Sequence, residues 1–218
     1  MPFLATDSHP TPSTYYTQGA CAIAFWVFTF VYLFFYQNDV LAAGQHVLSG
    51  GQTHYNRLVG ALLITLTLFV LQRAVSEVSR LQGNVHALTY FPSLLVLTII
   101  TDVSSDIDRG FSFGGWLIAC PLLVVAFVAL VVLLRQMPPP GSLAGHGFFS
   151  RHLWVNMLIM AVMFVAVGLF SNGDEAFHYR MKMERLIAEE RYDDALKVGR
   201  RSLVADPALT MLRAHALE

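Results

Sequence analysis

The fold class this 218-residue sequence predicts is an all-α, multi-pass transmembrane helical bundle of about five spans with a soluble helical hairpin behind it. Three observations predict it. The chain is 55% hydrophobic and only 13% charged, about half the charge of an ordinary soluble domain. Its apolar residues come in runs that meet or approach the ~20 residues a helix needs to cross a hydrocarbon core. Charge is sparse from Gly19 to Ser171 and dense from Asp174 to Glu218. That shift divides the chain into a transmembrane domain over residues 1–172 and a helical tail over residues 173–218.

Helix is the only sensible reading of the apolar runs. Lipid offers no partner to an open backbone amide, so spanning segments must satisfy their amides internally. Strands of a barrel would alternate apolar and polar residues, and these runs do not alternate.

The first span is expected over residues 19–36 and contains CAIAFWVFTFVYLFFY. The stretch before it, MPFLATDSHPTPSTYYTQGA, holds no lysine or arginine. A cleaved signal needs a positive region ahead of its apolar core, so this run reads as a retained helix. The second span, 58–77, contains VGALLITLTLFVLQ and ends on Arg73 and Glu77, spaced for an i,i+4 pair near the interface. The third, 85–101, carries His86, Thr89 and Pro92 ahead of SLLVLTII. Proline lacks an amide donor and clashes with the preceding turn, which predicts a proline-kinked span, the alternative being a half-helix entering from one side. The fourth and fifth spans are expected over 113–134 and 153–170.

The connections have their own chemistry. NDVLAAGQHVLSGGQTHYN, residues 38–56, is polar and glycine-bearing and reads as the loop between the first two helices. MPPPGSLAGHGFFSRH is a stiff turn followed by a flexible one. Tyr36, Trp116 and Trp154 fall near span ends, where amphipathic rings favour the headgroup zone. Arg73 with Arg80, and Arg135 with Arg151, flank two loops that share a side with the N-terminus. Positive loops tend to be cytoplasmic, so the expectation is a bacterial inner-membrane protein with its N-terminus inside and its tail on the periplasmic side.

From Asp174 the pattern becomes amphipathic. DEAFHYRMKMERLIAEE puts Tyr179, Met183, Leu186 and Ile187 on one helical face. RYDDALKVGRRSLVADP follows, and is expected to form a second helix whose narrow face is Tyr192, Ala195, Leu196, Gly199 and Leu203, stopped by Asp206-Pro207. At these residues the chain resembles a tetratricopeptide repeat, with Tyr192, Ala195, Ser202 and Pro207 on the pattern of its second helix. The first helix departs from the family at Lys182, usually apolar, and at Met183, usually small. The resemblance covers about one repeat and the start of the next, from Ala176 onward. It implies a packed helical hairpin that stacks with others, since one repeat cannot bury its own apolar face. The chain stops within a helix at Ala216-Leu217-Glu218, which leads us to expect either further repeats or docking of these helices on the bundle or on another copy. The layout as a whole resembles bacterial multi-pass membrane proteins with appended tetratricopeptide repeats.

Chemistry-bearing patterns are few. Asp102, Asp106 and Asp108 with Arg109 form the best polar cluster, and carboxylates can collect a hard cation. Their spacing fits no cation loop, so a solvated loop accounts for them better. Eight histidines occur without an HExxH or a tight pair. His86 and Asn156 lie nearer the membrane interior, where polar side chains usually bond to neighbouring helices. Cys21 and Cys120 sit inside apolar runs and read as packing residues. The serine of GFSFG, Ser112, follows an acidic loop rather than the strand a nucleophile elbow requires. A net charge of -1 offers no basic face to a nucleic acid. No catalytic, cofactor or metal site is therefore expected. The expected partners are the bilayer, a protein or peptide bound by the tail, and in principle a second copy. The leading functional reading is a membrane-anchored scaffold presenting a repeat surface. Its alternative is a transporter, or a membrane enzyme acting on lipid-linked or envelope glycans, with the tail as accessory.

Overall fold

The computed structural model describes residues 12–50, 52, 55–102, 115–136, 151–200, 202 and 206–217. Every regular element among them is helical. Five stretches are long and apolar enough to cross a membrane: Tyr15–Tyr36, Arg57–Ser79, Gly83–Thr101, Trp116–Gln136 and Arg151–Phe170.

Helix α1 (Pro12–Val31) runs directly into a wide π-turn, Tyr32–Tyr36. The turn closes where the Gln37 amide donates to the Tyr32 carbonyl at 3.0 Å. Helix α3 (Arg57–Ser79) is capped by Asn56, whose side chain accepts from the amides of Leu58 and Val59. It ends at Arg80, which takes a left-handed conformation with φ of 52°. Its buried residues, Ala61, Thr65, Leu68, Gln72 and Ser79, recur every three, four or seven positions and so form one stripe.

The third span departs from expectation. Its first half, Gly83–Tyr90, is 3-10 helix, and α4 (Phe91–Thr101) begins where that ends. Pro92 sits in the first turn of α4, where the amide it lacks has no helical partner to lose. Proline therefore starts a helix here instead of kinking one.

The loop expected over 38–56 is also corrected. Asn38–Leu48 is helix α2. Its Leu41-Ala42-Ala43 segment suits a helix, and its apolar side is covered by the tail: Val40 is buried against Phe177, with Ala43 and Met181 packed alongside. Glycine and polar residues made the stretch read as a connection because its covering partner lies far along the chain.

Helices α5 (Trp116–Gln136) and α6 (Arg151–Phe170) complete the spans. Helix α6 packs along α1, with Phe28 stacked on Phe164 at 4.0 Å and the Tyr32 hydroxyl bonded to Ser171. These pairs put the C-terminal ends of α1 and α6 on one side. Helix α5 stands apart: Val131 is its buried residue, and Phe127 stacks on Phe91 of α4 at 5.5 Å. The bundle's core is built from Cys21, Phe25, Leu33, Ala61, Leu68, Tyr90, Leu97, Met160 and their neighbours.

The tail has a core of its own. Asp174 caps α7 (Glu175–Ala188), accepting from the amides of Ala176 and Phe177. Met183, Leu186, Ala195, Val198, Leu209 and Ala216 are buried together, with Tyr179 and Ile187 packed against them. The second tail helix is much shorter than expected. Helix α8 covers only Tyr192–Ala195, and a series of turns follows through Arg200. Gly199 breaks it, taking φ of 62° while the Tyr179 ring lies 3.2 Å from where a Cβ would project. Glycine takes that conformation without strain and leaves the ring its close approach. Helix α9 (Pro207–His215) then starts on the Asp206 cap with Pro207 in its first turn.

Candidate functional site

Of the expected polar cluster, Asp102 alone lies among the described residues. Asp102 is exposed at the end of α4, where its carboxylate accepts from the Trp116 indole at 2.6 Å. Asp106, Asp108 and Arg109, like Ser112 in the GFSFG match, lie outside the described residues. Among the described residues no group of three histidine, cysteine or acidic side chains is placed to hold a metal.

The residues picked for repeat packing divide. Ala195 is fully buried and Leu196 packs against the tail core. Gly199 forms the turn just described, Ser202 is half-buried, and Pro207 is exposed at the start of α9. Tyr192 lies outside the core, 44% exposed. Leu203 is outside the described residues.

A different constellation lies inside the bundle. The α3 stripe carries Thr65, Gln72 and Ser79, all buried and each seven residues from the next. Opposite it stand Thr89 of the 3-10 segment and Ser93 of α4. The Gln72 amide donates to the Thr89 hydroxyl at 3.0 Å, and the Ser93 hydroxyl donates to the Leu68 carbonyl at 2.8 Å. Asn156 of α6 holds the 3-10 segment from the other side. Its carbonyl oxygen accepts from the Ala87 amide at 2.6 Å, and its amide nitrogen donates to the carbonyls of Gly83 and His152, each at 2.7 Å. His152 in turn bonds to Asn84. A carboxamide on a neighbouring helix thus bonds directly to two backbone groups of the 3-10 segment.

His86 behaves differently from Asn156. Its Nδ1 lies 3.4 Å from the carbonyl of Leu81, just ahead of the 3-10 segment, and its ring meets Tyr90 edge-on at 6.0 Å.

The arrangement is polar, uncharged and only partly satisfied. Thr98 and Thr101 bond to carbonyls of their own helix. Among the described residues, the hydroxyls of Thr29, Thr65 and Ser79, and the Gln72 carbonyl oxygen, are buried without a hydrogen-bond partner. Burying such a group costs on the order of 1–3 kcal/mol. Among the described residues, no Asp, Glu, Lys or Arg is buried. Chemically, the lane offers hydrogen bonds and no fixed charge. It also flanks a span whose winding changes from 3-10 to α-helix at Phe91. The sequence reading found Asn156 and His86 but missed Thr65, Gln72 and Ser79. Their seven-residue spacing along one apolar span was the available signal.

Fold and site together define a multi-pass helical membrane protein. Against known proteins, the chain is 26% identical over 120 residues to a probable inner membrane transporter protein, TsaS, of Comamonas testosteroni. That alignment takes in 48% of this chain and 50% of the other protein, so the chain spans about half the length of the curated relative it matches. No family model matches the chain, and no solved structure matches it.

Proposed function

We propose that this chain is the helical bundle of an inner-membrane transporter that passes a small hydrogen-bonding solute along the inner face of α3. One observation carries the reading: a buried, uncharged, incompletely bonded polar stripe runs beside a span that is half 3-10 and half α-helix. Transporter solute sites commonly lie beside membrane helices of irregular winding, and the third span is irregular in its first half. The likeness to a probable inner membrane transporter protein supports the same class and the same membrane. It favours transport over the scaffold reading as the principal role.

The tail is then accessory. It is seated on α2 through Phe177 and Val40 and through the Arg185–Asp39 ion pair at 2.9 Å. We further propose that it is a tetratricopeptide-like opening unit on the periplasmic side. Its outward apolar residues favour a secondary interaction role: Met211 and Leu217 are each 74% exposed. These residues suit stacking of a further helix pair.

Cysteine accessibility tests the transport reading. Thr65→Cys and Gln72→Cys are introduced one at a time after Cys21 and Cys120 are replaced by alanine. Both should react with a small, membrane-impermeant thiol reagent in sealed vesicles. Val70→Cys, on the outward face of α3, should not. Protection of both interior positions from either side of the membrane would remove the solute path and leave a scaffold.

A further inference from the structure

A second, separate feature lies on the outer surface of the bundle, where α1 and α6 run side by side. Between them is a slot of about 500 Å³. Its walls are Val27, Val31 and Phe35 on α1 and its π-turn, and Gly168 on α6, with Tyr32 and Tyr36 at one end. The Phe28–Phe164 stack holds the two helices together beside it. Gly168 adds no side chain to it, and a Cβ there would meet nothing within 4 Å.

The slot is apolar along its length and polar at one end. The Tyr32 hydroxyl is bonded to Ser171 and accepts from Gln37 at 2.8 Å. His178 lies beside the Tyr36 ring at 5.6 Å. Arg57 sits at the same end, exposed, its guanidinium 4.0 Å from the Phe34 ring centre and 5.3 Å from that of Phe35. Among the described residues Arg57 has no carboxylate partner, while the nearby carboxylate on α2, Asp39, is held by Arg185. A hydrocarbon-lined slot ending in an uncompensated cation at the depth of the π-turn fits an amphipathic anion.

We propose that this slot binds one anionic phospholipid, its acyl chain lying along Val27, Val31 and Gly168 and its phosphate on Arg57. The surroundings argue for a lipid, since both walls belong to membrane-spanning helices. The charge argues for an anionic one: a cation near the membrane surface favours anionic over zwitterionic headgroups. The glycine leaves room for an acyl chain, because a leucine-sized side chain there would project into the slot.

Native mass spectrometry on the full chain, delipidated in mild detergent, tests this with dioleoyl phosphatidylglycerol and dioleoyl phosphatidylcholine as probes. The wild type should hold one phosphatidylglycerol more tightly than the following ones, and more tightly than phosphatidylcholine. Gly168→Leu should lose that first adduct. Arg57→Gln should weaken phosphatidylglycerol about fivefold, to the level of phosphatidylcholine. Val27→Trp fills the same slot from α1 and serves if Gly168→Leu does not fold. Equal binding of the two lipids by wild type, or an unchanged first adduct in the slot-filling variant, would overturn the proposal. So would a wild-type dimer that Gly168→Leu splits, which would make a second copy the occupant.

Discussion

The two cores of this protein are built on opposite plans. The tail core of Met183, Leu186, Ala195, Val198, Leu209 and Ala216 is apolar throughout, and its charges lie outside, paired as Arg180–Glu184, Arg191–Asp194 and Lys197–Asp194. In the bundle many large apolar residues face outwards, Ile23, Leu63, Val70, Ile118 and Leu158 among them, while Gln72, Thr89, Ser93 and Asn156 lie inside beside Phe25, Leu68 and Met160. The difference follows from solvent. Water drives apolar side chains together in the tail. Lipid tails are as apolar as leucine, so helices there associate through packing and hydrogen bonds. A polar residue that would weaken the tail core is part of what joins the bundle.

Substitutions can break that contrast. The largest effect should come from Met183→Ala, which empties a fully buried position and should cost about 2–5 kcal/mol. Hydrogen exchange in detergent should show α7, α8 and α9 losing protection together while the spans keep theirs. Next comes Asn156→Leu, which removes three hydrogen bonds to the 3-10 segment and its own helix. Interhelical bonds in membranes are worth about 0.6 kcal/mol each on average, so a loss of about 1–2 kcal/mol is expected in detergent unfolding. A gain in stability would mean that packing alone holds α6 to the third span.

The smallest effect is pH dependence of the tail. Hydrogen bonds from Arg191 and Lys197 hold the Asp194 carboxyl below its ordinary range. A depressed folded value stabilises above the unfolded value, and that contribution is lost as pH falls through the folded one. Thermal melts taken from neutral pH downwards should therefore show the tail weakening on the acid side. Asp194→Asn should flatten part of that slope; because the group is exposed, the change will be slight.

The spans were legible because twenty apolar residues in a row have few other fates. What lay beyond the spans depended on distant partners. Helix α2 hides its apolar side only once Phe177 arrives, about 140 residues later, so Asn38–Leu48 read as a loop. The halves of the third span could not be told apart, since Asn156 bonds to backbone groups of Gly83–Tyr90 from another helix. Gly199 fits a helix by composition; only the Tyr179 ring against it reveals the left-handed turn. Within the polar lane, Asn156 and His86 stood out against apolar neighbours. Thr65 and Gln72 did not, because single threonines and glutamines pass unremarked in a span until three of them share one face.

The wide turn at Tyr32–Tyr36 has a consequence for helical phase. A π-turn accommodates one residue more than α-helical spacing allows. Deleting a single residue there would let the turn rewind as α-helix with the phase after it nearly kept, whereas deleting one from the regular helix before it would rotate everything after by about 100°. In that second case Asp39 and Val40 would swing away from Arg185 and Phe177, although neither had been altered. The wide turn is thus a length buffer between the first span and the tail: it can give up a residue where the regular helix cannot.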